Sequence, residues 1–359
     1  MRRSSARRWS FLLVLLLVLT PAFELHAAKK KKRRRAPRYT VPSVGNPTEK
    51  DVEAGEDSVA RALAVQALGN WNGSVVVSEA DTGRILTIVN QQQALSSGFK
   101  PCSTIKVAVG LGALEEGLIT GDTELKVARR EKMNLTEAMA RSNNRFFEIL
   151  GKQMGFDKVS AYSRLLGFGE LAGYLIDGEF PGSFPMQPPA NGGVGRMSSF
   201  GEGIKVTPLQ LAALMGAFAN GGRLYYLQYP RTPEELTEFR PRVKRHLPIQ
   251  RWLPELRAGM EAAVVYGTAR VSTASFSEGQ MLGKTGTCGE DKAKLGWFAS
   301  YGELPNGKKL SVVVLLRGGR AFSGSKAAQI AAEVYKGLAD SQQLAGTPAA
   351  GGASAAGNR

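Results

Sequence analysis

Ser103-Thr104-Ile105-Lys106 is the stretch on which the reading of this chain turns. Pro101 precedes it, and Ile105, Val107, Ala108, Val109, Leu111, Ala113 and Leu114 form a helix that is apolar nearly all round, which predicts burial. Ser103 falls in the first turn of that helix, and Lys106 follows at i+3 on the same face. A lysine in a buried helix is costly unless it is functional. Burial lowers its pKa, and a neutral amine can take the proton of a serine hydroxyl. The helix N-terminus also favours negative charge developing near Ser103. Alone the pattern is weak, because Ser323-Gly324-Ser325-Lys326 repeats it in a polar context.

Two further motifs lie outward from it. Asn134 with Glu137 reads as a capping box for a short helix ending near Arg141, and residues 145–154 read as the next helix. Ser142-Asn143-Asn144 therefore sits in a helix–helix loop, where polar side chains either point into a cleft or act as caps. Lys284-Thr285-Gly286-Thr287 continues a strand from Met281-Leu282-Gly283. Gly279 to Thr285 imitates a phosphate-binding loop, but one residue is missing between its glycines and no helix follows, so nucleotide binding is not expected. Of the two histidines, only His246 lies in the body of the chain, in a loop-like stretch. That excludes a His-rich zinc site and leaves a Ser-His-Asp triad poorly supported. Two cysteines cannot build a zinc or iron–sulfur cage. Neither a metal nor a cofactor is expected.

The surrounding pattern predicts an α+β fold. Residues 56–68 have helical spacing, and 73–90 read as a hairpin turning at Asp81-Thr82-Gly83. Residues 104–266 are mostly helical by periodicity, interrupted by a Gly/Pro-rich stretch at 178–203. Residues 281–286, 295–301 and 310–316 are strand-like, and 325–339 form a final helix. Strands from both ends of the domain can join one antiparallel sheet flanked by the N- and C-terminal helices, with the insertion as an all-helical lobe and a cleft between. The expected division is a signal peptide or short anchor at 1–28, a basic Pro/Gly linker at 29–55, a catalytic domain at 56–340 and a disordered tail at 341–359.

The formal charge of +16 suggests nucleic acid, but its location argues otherwise. Residues 1–38 hold twelve basic residues and one acid, leaving 35 basic and 30 acidic residues in the remainder. No basic face with interleaved aromatics is visible, and no nucleic-acid partner is expected. Arg2, Arg3, Arg7 and Arg8 precede an apolar run at 11–19, and Leu25-His26-Ala27 is a passable cleavage site. This reads as a secretory signal, or as an uncleaved anchor. Lys29-Lys30-Lys31-Lys32-Arg33-Arg34-Arg35 conflicts with export by the positive-inside bias. It reads either as a solvated linker or as a segment docking on anionic membrane or wall polymer.

The three motifs in this order resemble the penicillin-binding protein and serine β-lactamase superfamily, whose SxxK, SxN and KTG elements line one cleft. Phe99-Lys100-Pro101-Cys102 leading into Ser103 is similar to the nucleophile segment of its transpeptidase branch. Gly201-Glu202-Gly203, the segment from Val206 to Ala212, Ala219-Asn220-Gly221-Gly222, Val264-Val265-Tyr266-Gly267-Thr268 and Trp297-Phe298 also resemble that branch. The likeness spans roughly residues 72–338.

It implies that Ser103 is the acylated nucleophile and Lys106 its base. Ser142 would relay a proton to the leaving amine, and Asn144 would hold the substrate amide and fix Lys106. Lys284 would supply positive potential, Thr285 and Thr287 would bind the substrate carboxylate beside Gly286, and the backbone N–H groups of Ser103 and Thr287 would form the oxyanion hole. Cys102 and Cys288 flank these segments, and a bridge between them would resemble that of some class A carbapenemases; the alternative is two buried thiols. Such a pair fits an oxidising compartment.

The resemblance further implies peptidoglycan stem peptides and β-lactam antibiotics as ligands, and a location in the periplasm or on the outer face of the cytoplasmic membrane. The expected activity is D,D-transpeptidation. No ExxLN loop is present, since Glu179 lacks that context, and Asn144 stands where class D enzymes carry an apolar residue. A hydrolase (β-lactamase or carboxypeptidase) and a non-catalytic sensor or wall-binding module remain as alternatives.

Overall fold

In a computed structural model, residues 39–276 and 280–346 are described. Asp57 caps α1 (Ser58–Leu68) by accepting the Ala60 N–H, and the chain then enters the hairpin β1 (Gly73–Glu79) and β2 (Ile85–Val89). Its turn closes at Gly83, whose positive φ of 76° suits a residue without a Cβ. α2 (Gln91–Leu95) leads to a 3₁₀ turn at Cys102–Ile105 and then to α3 (Lys106–Glu115). The insertion continues with β3 (Leu125–Ala128), β4 (Glu131–Met133), α4 (Leu135–Ala140) and α5 (Asn144–Leu165), which kinks at Gly155. α6 (Gly193–Phe200) and α7 (Pro208–Ala219) follow, then β5 (Arg223–Tyr225), α8 (Pro233–Thr237), β6 (Val243–His246) and α9 (Leu253–Val265). β7 (Gln280–Glu290), β8 (Ala293–Glu303), β9 (Lys309–Gly318) and α10 (Gly324–Gly346) complete the domain.

The main sheet has five antiparallel strands in the order β2-β1-β9-β8-β7, so β1 pairs with β9 from the far end of the chain. Both faces are covered. Val75, Val77, Val312 and Val314 pack with Ala60 and Ala64 of α1 and Ala327 and Ala331 of α10. Val76, Val313 and Leu315 join the core containing Leu111 of α3 and Leu211 and Leu214 of α7. Burial on both faces explains why these strands read as unbroken apolar runs rather than as alternation. Within the description of the domain, no helix is long and apolar enough to cross a membrane.

The α+β sheet-and-helix reading holds, but three details differ. The insertion is not all-helical, because β3–β4 and β5–β6 form two small ribbons. Their strands are three or four residues long and rich in charge, so they lack a legible period. His246 ends one of them, paired with Arg223, rather than lying in a loop.

Second, the part of the expected linker that is described, 39–55, is fastened to the domain. Thr40 N–H donates to Lys292 O, Val44 bridges to Trp71, and the Asp51 carboxylate accepts from the N–H groups of Asn90 and Gln91 while pairing with Arg61 at 2.9 Å. Asp51 and Glu53 in this stretch pair with the buried Arg61, while Glu49 and Lys50 stay exposed. Third, α10 runs to Gly346, past the expected start of the tail. The expectations for 1–28, for the basic run at 29–35 and for the tail beyond 346 lie outside the described residues.

Candidate active site

The site is built on the turn that launches α3. Cys102 has a left-handed backbone (φ 52°), and Thr104 accepts its place by donating both N–H and Oγ1–H to Pro101 O. Ser103 thus lies in a 3₁₀ turn rather than in the α-helix proper, and the Lys106 N–H donates to Ser103 O. In 3₁₀ geometry residues i and i+3 eclipse, which keeps Ser103 and Lys106 on one face. Ser103 is nearly buried and Lys106 entirely so.

Lys106 Nζ donates to Ser142 O at 2.7 Å, to Ser142 Oγ at 3.1 Å and to Asn144 Oδ1 at 2.7 Å. Ser103 Oγ is not among its hydrogen-bond partners, so Lys106 and Ser103 share a face without a direct hydrogen bond. Burial holds this lysine well below its usual pKa, the positive charge of Lys284 lowers it further, and Glu148 opposes both.

Ser142 stands where α4 ends. Its N–H donates to Met139 O, the Asn143 N–H donates to Ala138 O, and φ at Ser142 is 53°. This is a Schellman C-cap with serine in the left-handed position that usually takes glycine. A residue with a Cβ there is strained by roughly 1 kcal/mol. Asn143 then caps α5 by accepting the Phe146 N–H, so of the two readings of this motif the cap falls to Asn143, while Ser142 and Asn144 turn to Lys106.

β7 supplies the other wall. Lys284 is fully buried, its Nζ donates to Thr285 O at 3.1 Å, and burial lowers its pKa to about 7. Thr285 Oγ1 lies 2.6 Å from Thr268 Oγ1. Thr287 is exposed, and its Oγ1 accepts the Gly324 N–H at 2.8 Å. That leaves the Thr287 O–H free to donate. A Cβ on Gly286 would come within 3.0 Å of Pro101 O and 3.2 Å of Cys102 Cβ, so the strand approaches the turn that carries Ser103 closely only because residue 286 has no side chain.

Three further links hold the turn to the sheet, and a fourth joins Lys100 to the loop after α6. Cys102 and Cys288 are paired as a disulfide with Cα atoms 5.6 Å apart. Trp297 Nε1 donates to Lys100 O, the Lys100 N–H donates to Glu290, and Lys100 Nζ pairs with Glu202, which also binds Arg196. Glu202 and Pro101, against which Gly201 packs, support the site without belonging to the three motifs, as do Thr268 and Gly324. Thr268, Glu202 and Pro101 had a sequence signal, through the segments around them, whereas Gly324 had none that pointed to the site. Glu179 is spent locally, accepting the N–H groups of Ala172 and Gly173. No cluster of three His, Cys, Asp or Glu side chains suited to a metal occurs among the described residues.

A family model described as the penicillin binding protein transpeptidase domain matches residues 73–336. The chain belongs to this family. Among transpeptidase-domain relatives, stage V sporulation protein D of Bacillus subtilis is 29% identical over 230 residues, covering 56% of this chain and 34% of that protein. Peptidoglycan D,D-transpeptidase FtsI of Escherichia coli is 26% identical over 182 residues, covering 42% of this chain and 31% of that protein. The chain thus spans about a third of the length of these curated relatives.

Solved structures share the fold. Pseudomonas aeruginosa PBP2 superposes with a TM-score of 0.66 at 22% identity, covering 81% of this chain and 78% of that one. The D,D-transpeptidase domain of an Eggerthella lenta peptidoglycan glycosyltransferase gives 0.62 at 19%, covering 80% and 82%.

Proposed function

We propose that this chain is a penicillin-binding D,D-transpeptidase, acylated at Ser103 by the D-alanyl-D-alanine stem peptides of peptidoglycan and by β-lactams. One observation carries the reading: a fully buried Lys106 amine, depressed in pKa, bonded to Ser142 and Asn144 one turn from Ser103. Neutral Lys106 takes the Ser103 proton as Oγ attacks the substrate carbonyl carbon. The carbonyl–nitrogen bond breaks, and Ser142 relays the proton held by Lys106 to the departing amine, which leaves Lys106 neutral again. The N–H groups of Ser103 and Thr287 receive the developing oxyanion, where losing one donor typically costs roughly 10²–10³-fold in rate.

Lys284, Thr285 and Thr287 take the substrate carboxylate, and Asn144 takes the amide. β7 is an edge strand of the sheet, so an extended peptide can add to it through main-chain hydrogen bonds. A second stem peptide's amine then attacks the ester and gives up a proton to neutral Lys106; the carbon–Oγ bond breaks, Ser103 Oγ takes that proton back, and the cross-link is formed.

The Cys102–Cys288 pair supports a formed disulfide and an exported protein, working in the periplasm or on the outer face of the cytoplasmic membrane. Residues 1–28 would then serve as signal or anchor, and residues 29–35 either as a solvated linker or as a segment docking on anionic membrane or wall polymer.

The test is intact-mass spectrometry after mixing with penicillin. A long-lived adduct, absent in Ser103→Ala, is expected. Persistent labelling of Ser103→Ala would refute the nucleophile, and rapid adduct loss with drug turnover would replace transfer by hydrolysis.

A further inference from the structure

Thr268 belongs to none of the three motifs, yet its backbone is tethered beside two of them. Its N–H donates to Ala140 O at the end of α4, two residues before Ser142. Its carbonyl accepts the Ser325 hydroxyl of α10 at 2.7 Å. A Cβ on Gly267 would collide with Ala140 O, so the chain passes this close only because residue 267 has no side chain. The Ser323–Lys326 stretch, which repeats the spacing of Ser103 and Lys106, is thereby spent on structure. Ser323 Oγ accepts the Lys326 N–H, and Ser325 holds Thr268.

The hydroxyl at the end of this double tether meets the third motif. Thr268 Oγ1 lies 2.6 Å from Thr285 Oγ1, and neither hydroxyl has another hydrogen-bond partner among the described residues. Each hydroxyl has one proton and two lone pairs, so the protein alone leaves the direction of this bond open. Thr287 differs. Its Oγ1 accepts the Gly324 N–H, which can only donate, so the proton of Thr287 already points elsewhere.

A carboxylate accepts and never donates, so it selects the direction of the open pair. With a carboxylate at Thr285, the Thr285 proton goes to the ligand and Thr268 must donate to Thr285. That chain of donors leaves no proton unpaired, and each bond polarises the next. The reverse direction would turn the lone pairs of Thr285 toward the negative charge.

We propose that Thr268 is a positioning residue for carboxylate recognition: it donates its hydroxyl proton to Thr285 Oγ1 and so turns the Thr285 proton toward the ligand. The inference rests on the acyl-transfer reading, which puts a substrate carboxylate at Thr285 and Thr287. Thr268 acts through Thr285 and does not itself hold the ligand.

The experiment follows acylation of the full chain by stopped flow, with benzylpenicillin and with its methyl ester, which lacks the negative charge. The concentration dependence separates the Kd of the first complex from the acylation rate. Thr268→Val keeps the shape and removes the proton. For penicillin it should raise Kd about tenfold, the low end for a hydrogen bond to a charged group, and leave the acylation rate within about twofold. For the ester, acylation efficiency should stay within about twofold of wild type, because no carboxylate selects the direction of the pair. Thr268→Ser, which keeps the hydroxyl, should return the penicillin Kd to near the wild-type value.

An equal loss for acid and ester, or no loss for either, overturns the proposal, because the pair then serves only to pack β7 against residue 268. So does a Thr268→Ser variant that behaves like Thr268→Val. Wild-type labelling gauges the underlying reading separately. If penicillin fails to acylate the wild type, acyl transfer falls and this role falls with it. If the wild type is acylated and Thr268→Val loses nothing, the role of Thr268 alone falls.

Discussion

Replacing Cys102 and Cys288 together by alanine cuts the covalent tie between the turn that carries Ser103 and β7. The tie closes a loop with a sequence separation of 186. In the chain-entropy account, freeing a loop of that length from its cross-link stabilises the unfolded state by about 5 kcal/mol, an upper bound because the unfolded chain keeps some structure. For a domain of this size that corresponds to a Tm loss on the order of 10 °C.

The native turn keeps other fasteners, namely Trp297 Nε1 on Lys100 O and the Lys100 N–H on Glu290, so the variant should still fold. Residue 102 is held at φ 52°, however, and without the bond it can relax toward the right-handed region. Ser103 would shift with it, and penicillin acylation should slow about tenfold. Thermal denaturation of oxidised wild type against the double variant reads the first effect, and fluorescent-penicillin labelling rates read the second. An equal Tm and an equal labelling rate would show that the cross-link constrains neither state. Ellman titration of denatured, unreduced, exported protein should find no free thiol; two would show that the bond is absent.

Other consequences follow from the buried lysines and the close-packed strand. Unfolded lysines keep their protons to about pH 10.4, whereas folded Lys284 releases its own near pH 7, so the unfolded state binds more protons between these limits and stability rises with pH across them. Lys284→Met should flatten that rise in urea midpoints measured at pH 7 and pH 9, and should slow penicillin acylation. Gly286→Ala puts a methyl 3.0 Å from Pro101 O and should cost about 1–3 kcal/mol and most of the labelling, readable by denaturation and gel fluorescence. Asn144→Ala removes one of the partners of Lys106 and should lower acylation by about 10²-fold in stopped-flow β-lactam kinetics, the lower end of the range for proton-transfer catalysis. Glu179→Gln should leave the deacylation rate of the penicillin adduct unchanged, because that carboxylate serves backbone N–H groups; a large drop would favour a hydrolytic water primed by Glu179.

Much of this arrangement is legible in the residues alone, for identifiable reasons. A lysine in an apolar helix and a Lys-Thr-Gly at the end of a strand are conspicuous because burial makes charge and bare backbone expensive. The strands at 310–316 and 73–79 read clearly because two cores cover them. What stays hidden depends on distant partners. Ser142 occupies a left-handed cap that sequence would assign to glycine, and nothing local says that Lys106 spends its donors on Ser142 and Asn144 rather than on Ser103. The docking of residues 39–55 depends on Lys292, Trp71 and Arg61. The ribbons β3–β4 and β5–β6 are too short and too charged to show a period.

The place of β1, between β2 and β9, sets the order in which the domain can be completed. Ser78 Oγ and Ser311 Oγ meet at 2.7 Å across a separation of 233 residues. Until β9 has been synthesised, one edge of the first hairpin stays open, and loop closure must be met before those contacts form. A chain truncated before β9 would therefore not be a smaller version of this domain. It would present a bare, valine-rich strand edge, the kind of template on which neighbouring chains aggregate.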